Sequence, residues 1–154
     1  MFVRLINQFL AAFMVSLLAT AALLASPAAA QTPLTREVIN PGAAATPVPL
    51  PLSAGVRVGD FIYVSGQVEL NAPDITGQTT SALNKVRAVV EAAGATMANV
   101  DKCTVFLTRQ ADFAPMNEVW RTFFPKDPPA RSTVIVAALV NPMFLVEIEC
   151  FAHR

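Results

Sequence analysis

From Phe9 to Ala25 the chain is apolar, broken only by Ser16 and Thr20, and Arg4 is the only charge before Arg36. A run of this kind cannot form the wetted surface of a small domain, so it splits the chain into two parts with different fates. It falls slightly short of the roughly 20 apolar residues that a membrane-spanning helix needs. It ends in Ser26-Pro27-Ala28-Ala29-Ala30, small residues that suit signal cleavage. A positive start, an apolar stretch and a small-residue site together predict a secretory signal over residues 1–30, cleaved near Gln31. The remainder is then periplasmic or secreted, with no membrane contact after cleavage.

Residues 31–154 have the length of one domain. Without Arg4 they carry ten Lys/Arg against eleven Asp/Glu, a net charge of about −1. No basic stripe is available to track phosphates, which argues against nucleic acid as a partner. His153 is the only histidine and sits beside the C-terminus, so it reads as a solvated tail residue. A Ser-His triad or a His-rich metal site has nothing to build on, and the expected metal content is none. Cys103 and Cys150 could be oxidised in an exported protein. Both lie in strand-like runs where small buried thiols are common, and this favours two core thiols over a bridge.

Residues 31–50 are rich in Pro, Ala and Thr and read as an extended arm laid on the surface, or as a partly disordered one. The folded domain is expected over 51–154. Val56–Val58 and Asp60–Val68 read as strands turning at Gly59. Gly77–Ala93 reads as a helix, with Leu83, Val86, Val90 and Ala93 along one stripe and Gly94 as its stop. Asp101–Thr108 is a strand. Asp112 can cap a second helix that buries Phe113, Met116, Trp120 and Phe123, with Pro115 in its first turn and Pro125 beyond its end. Arg131–Leu139 and Phe144–Ala152 complete the set, joined at Asn141-Pro142 and expected to pair as an antiparallel hairpin. The order β-β-α-β-α-β-β predicts an α+β domain: one mixed sheet with both helices packed on one face. The other face must be unusually polar or be covered, which points to self-association.

Three features could carry chemistry. Ser65-Gly66-Gln67 lies near a strand end, where a glycine marks either a plain bulge or a close approach to a ligand. Ser65 has no evident base and is a poor nucleophile. Arg131, in Pro129-Ala130-Arg131-Ser132-Thr133, could present its planar fork of donors to a carboxylate, or be an ordinary surface or ion-paired arginine. Glu147 and Glu149 share a strand face about 6.5–7 Å apart. They are either an acid–base pair or the wet side of a half-buried strand.

Taken in order, these segments resemble the RidA/YjgF family of reactive-intermediate deaminases. The resemblance rests on Gly59-Asp60-Phe61-Ile62-Tyr63-Val64-Ser65-Gly66-Gln67, the helix end Val89 to Gly94, the strand Asp101 to Leu107, the segment Asp112 to Phe124, Pro129 to Thr133, and Val146 to Glu149. It spans about Leu50 to Arg154. It implies a chorismate-mutase-like fold and a homotrimer with ligand clefts between subunits. The activity implied is cofactor-independent hydrolysis of 2-imino acids, or their enamine tautomers, to 2-oxo acids and ammonia. By position, Arg131 matches the arginine that grips the substrate carboxylate, and Glu147 the carboxylate that activates water. Thr133 stands where the family has a cysteine whose main chain helps hold the substrate nitrogen. Ser65 and Gly66 line the same cleft, and Asn117 matches an asparagine of the second helix. The alternative is a non-catalytic trimeric module that binds small carboxylate metabolites or a protein partner.

The chemistry suits these residue types. An imine carbon is already electrophilic, so its hydrolysis needs a fixed carboxylate, a held water and one proton acceptor rather than a strong nucleophile. The chain also departs from the family pattern. Leu50-Pro51-Leu52 replaces a G-P-Y sequence, removing a cleft tyrosine; Thr133 replaces the cysteine; and Val140-Asn141-Pro142-Met143 replaces the common L-P-x loop.

Overall fold

Alternation of buried and exposed side chains sets the architecture. In the strand Val146–His153, residues Val146, Ile148, Cys150 and Ala152 are buried while Glu147, Glu149, Phe151 and His153 face the other way. A strand of this kind buries one side against a layer of helices. The structure is a computed structural model that describes residues 33–42 and 51–154. The expected signal over 1–30 lies outside the described residues, as do 31–32 and 43–50 of the expected arm. No helix among the described residues is long and apolar enough to cross a membrane.

In chain order the elements are β1 (Arg36–Ile39), β2 (Gly55–Val58), β3 (Phe61–Gln67), α1 (Ile75–Ala92), β4 (Val100–Leu107), α2 (Phe113–Phe123), β5 (Ala130–Ile135) and β6 (Val146–His153). They form a six-stranded mixed sheet in the order β1-β2-β3-β6-β4-β5, in which only β4 and β5 run parallel. The Pro/Ala-rich segment therefore supplies an edge strand, β1. Asp74 caps α1 through Gly77 N–H at 2.8 Å, so the helix starts two residues before the expected Gly77. Gly94 follows α1 at φ +85°, a left-handed conformation that glycine adopts without steric cost.

The helices cover one face. Leu83, Val86, Val89 and Val90 of α1 and Met116, Val119 and Trp120 of α2 pack with Ile62, Val64, Val105, Leu107, Val146 and Ile148. Each fully buried aliphatic side chain contributes about 1.5–3 kcal/mol through removal from water. On the opposite face Val38, Phe61, Tyr63 and Phe151 are all exposed. Val38, Val56, Tyr63 and Phe151 lie in register across four strands, so this face carries an exposed apolar row. Tyr63 and Phe151 meet edge to face with centroids 5.4 Å apart.

Four expectations are corrected. β5 and β6 do not form a hairpin: β6 inserts between β3 and β4, leaving β5 at the edge. The segment 136–145 turns at Asn141, whose Oδ1 accepts from Met143 N–H, but is long enough to cross over β4. β6, wholly apolar on one side, takes an interior position, while Arg131, Ser132 and Thr133 keep β5 at the rim. Cys103 and Cys150 are joined in a disulfide, because that strand order sets them directly opposite in the β4–β6 register with Cα atoms 4.1 Å apart. Asp112 occupies the N-cap position of α2 but makes no capping bond. Its carboxylate is gripped instead by Arg109 through Nε and Nη2, at 2.8 and 2.9 Å. His153 is the last residue of β6 rather than tail, and its Nδ1 lies 2.9 Å from the Asp101 carboxylate.

Candidate functional site

β5 places Arg131 beside Cys103 of β4, so its side chain emerges on the helix-covered side at the rim of the sheet. There the guanidinium lies over the Trp120 ring, 4.6 Å from its centroid. Nη2 donates to Asn117 Oδ1 at 2.6 Å, and Nη1 lies 3.7 Å from Met116 Sδ. Asn117 and Trp120 stand three apart on α2, so one helix face supplies both the acceptor and the stacking surface. Partial burial, and then the nearby Arg121, push the Arg131 pKa below its ordinary value. The group stays a cation even so. Among the described residues it has no carboxylate partner. A guanidinium that is partly dehydrated, stacked and short of a counter-ion is suited to receive a ligand carboxylate in a bidentate grip. It opens on a hollow of about 410 Å³ lined also by Pro128 and Pro129. Two residues along β5, Thr133 faces a second hollow of about 460 Å³.

Glu147 belongs to the other side of the sheet. It is opposite Phe106, which is opposite Val134, whereas Thr133, Val105 and Ile148 align on the helix side. Burial first, and the Glu149 charge second, raise the Glu147 pKa. Between Val64, opposite Cys150, and Gln67, opposite Ile148, the register shifts, so Ser65 and Gly66 together face Glu149 as a bulge. The Glu147 side chain lies directly against Gly66: a Cβ there would overlap its Oε1 and sit 2.8 Å from its Cδ. Gly66 is therefore a bulge residue, and the group that approaches it here is its own chain's Glu147 carboxylate. Ser65 Oγ donates to Ser53 O at 2.6 Å, which commits the hydroxyl to the backbone.

The structure thus sets Arg131 and Asn117, with Thr133 at a separate hollow two residues on, in one group and Glu147, Gly66 and Ser65 in another. It does not bring the two groups together within one chain.

Gln78 was not legible as a supporting residue. It is 2 % exposed, donates to Ala72 O and Met143 O at 3.1 and 2.9 Å, and accepts from Leu145 N–H at 2.8 Å. It thereby ties the start of α1 to the segment that feeds Glu147. Beyond the bulge, Glu69 is held ionised down to about 2 by the Ser81 hydroxyl, the Asn71 N–H and Lys85, which pins the β3–α1 link to the helix.

A six-stranded mixed sheet with two helices on one face makes this a small α+β domain of the chorismate-mutase-like class. The comparisons agree. The family model described as endoribonuclease L-PSP matches residues 43–154. A RutC family protein of Pyrococcus abyssi is 37 % identical over 128 residues, covering 79 % of this chain and 99 % of its own. A Mycobacterium tuberculosis structure of the YjgF family superposes with TM-score 0.68 at 32 % identity, covering 78 % of this chain and all of its own. TdcF of E. coli, solved with bound serine, gives TM-score 0.68 at 34 % identity, covering 77 % and 98 %. The chain belongs to the RidA/YjgF family.

Proposed function

We propose that the protein hydrolyses 2-imino acids, or their enamine tautomers, to 2-oxo acids and ammonia without a cofactor, in clefts between subunits of an exported homotrimer. The observation that carries this reading is the placement of Arg131 and Glu147 on opposite sides of the sheet, each half-buried and, among the described residues, each short of a partner of opposite charge. A second copy can join them. The exposed apolar row Val38, Tyr63 and Phe151 supports self-association of that kind.

In the reaction, Arg131 grips the substrate carboxylate and fixes C2. The partner subunit's Glu147 takes a proton from water as the water oxygen bonds to C2 and the C=N electron pair moves to nitrogen. The resulting carbinolamine receives that proton on nitrogen. Glu147 of the partner subunit then carries the hydroxyl proton to that nitrogen as the C–N bond breaks, so the nitrogen leaves as ammonia and the C=O bond of the 2-oxo acid forms. A glutamate held above its ordinary pKa suits this task, because the weaker acid is the better proton acceptor. The serine bound to TdcF supports a small carboxylate ligand. The endoribonuclease description of the family model gains no support from the near-zero net charge.

The binding-module reading is favoured by one observation: the Arg131 side is complete without Glu147. The deciding experiment mixes mature protein with freshly generated 2-iminopropanoate and follows ammonia and pyruvate release. A rate no higher than the spontaneous one gives the site to the binding module. Export is tested by terminal sequencing of the periplasmic protein, with Gln31 or a close neighbour as the expected first residue.

A further inference from the structure

We infer that Lys102, on the open face of the sheet, pairs with Glu149 of the partner subunit, so that a second copy of this chain docks there by charge as well as by apolar contact. This rests on the homotrimer of the proposed function. The apolar row Val38, Val56, Tyr63 and Phe151 continues in register onto Lys102 of β4. In the next row Glu149 of β6 stands opposite Thr104, which stands opposite Ser132. One cation and one anion thus lie in adjacent rows of the surface that self-association would cover.

Within one chain the two do not meet. Lys102 turns away from β6 toward the rim of the sheet, where its Nζ donates to Ser132 Oγ at 2.7 Å. Among the described residues neither Lys102 nor Glu149 forms an ion pair. Both are already half-buried. The other charges of this face have a place. Glu147 belongs to the cleft, His153 has Asp101, and Arg36 stands exposed on the edge strand β1, where a rim charge keeps its water. Covering the face strips water from Lys102 and Glu149, and an unpaired charge inside an interface is strongly disfavoured. The Ser132 hydroxyl can solvate the ammonium but cannot neutralise it. In a closed ring both charges are satisfied at once, because each subunit offers Lys102 to one neighbour and Glu149 to the other.

Charge reversal tests the pairing, read by light scattering and native mass spectrometry on the mature protein. Lys102→Glu sets like charges together in every contact, as does Glu149→Lys. Each is expected to raise the concentration at which the trimer dissociates by about 10²-fold or more. The protein with both substitutions restores opposite charges and should dissociate at the wild-type concentration. Refolding the two single variants together separates a contact between subunits from one within a chain. A contact between subunits gives trimers containing both chains, since a mixed ring makes two of its three contacts complementary. A contact within a chain leaves the mixture as dissociated as its components. Circular dichroism checks that each variant folds. Single variants as trimeric as wild type, a double variant no better than either, or a mixture without mixed trimers overturns the pairing. With wild type trimeric, such a result removes the pairing alone. A monomeric wild type removes the homotrimer of the proposed function together with it.

Discussion

Glu147 and Gly66 are built around each other: the carboxylate of β6 occupies the space that a side chain on the β3 bulge would need. Gly66 is not at positive φ, so its role is steric rather than conformational. Gly66→Ala is therefore expected to displace the Glu147 carboxylate while sparing the Arg131 side of the sheet. A displacement on the order of 1 Å costs about 10²-fold in turnover. Imine hydrolysis should fall by about that factor while pyruvate affinity, read by calorimetry, is retained.

Binding and chemistry should separate at Arg131 and Glu147. Arg131→Ala removes the charged donor and should weaken pyruvate binding by about 1.5–3 kcal/mol. Glu147→Gln keeps the shape without the basicity and should lower turnover by about 10²–10⁴-fold, with pyruvate binding largely kept. Glu149→Gln, two residues on, should move neither as far. Paired titration and a coupled imine assay read all three.

The pH profile carries a sign that can be checked. Burial and Glu149 hold the Glu147 pKa above the ordinary carboxylate range. A raised acid is neutral over a wider range, so the base form needed for hydrolysis is lost at a higher pH than an exposed glutamate would allow. The acid limb of kcat/KM should therefore lie above the usual carboxylate range. Glu149→Gln removes the like charge and should shift the limb to lower pH. The same shift makes ionised Glu147 a cost to folding above its unfolded pKa, and that cost fades as pH falls.

Much of this fold is legible in local pattern. Alternation in Val146–Ala152 and the Leu83-Val86-Val90 stripe identify a half-buried strand and an amphipathic helix without reference to partners. The motif positions also single out Arg131 and Glu147. Strand order is not legible in the same way. Alternation says which side chains share a face, not which strand lies alongside, and a turn at Asn141-Pro142 looks the same in a hairpin as in a crossover. The disulfide follows from that order, since only β6 beside β4 sets Cys150 opposite Cys103. The placement of Arg131 and Glu147 on opposite sides of the sheet also follows from it. Gln78 carries no local signal, because its three bonds reach backbone groups that only tertiary folding brings near.

The bridge between Cys103 and Cys150 closes a loop of sequence separation 47. Loop-closure entropy assigns such a link about 4 kcal/mol of stability. Urea unfolding of the Cys103→Ala/Cys150→Ala protein should show a loss of that order relative to the oxidised wild type. Both cysteines are fully buried, so reductant should act slowly on the native protein and quickly once urea opens it.

Assembly and catalysis can be tested together by mixing inactive variants. If each cleft takes Arg131 from one subunit and Glu147 from its neighbour, Arg131→Ala and Glu147→Gln proteins carry complementary intact halves. Light scattering on each should give three times the subunit mass. Unfolding the two together and refolding them at equal amounts redistributes the subunits. A cleft regains both groups when its arginine comes from the Glu147→Gln chain and its glutamate from the Arg131→Ala chain. Random pairing around a closed ring gives this in roughly a quarter of clefts. The mixture should therefore recover roughly a quarter of wild-type turnover, since each restored cleft is chemically complete. Tyr63→Glu on the apolar face, introduced into both chains, should abolish the recovery by burying a charge at the contact. If the refolded mixture stays as inactive as its components while light scattering reports trimers, the two residues do not share an intersubunit cleft.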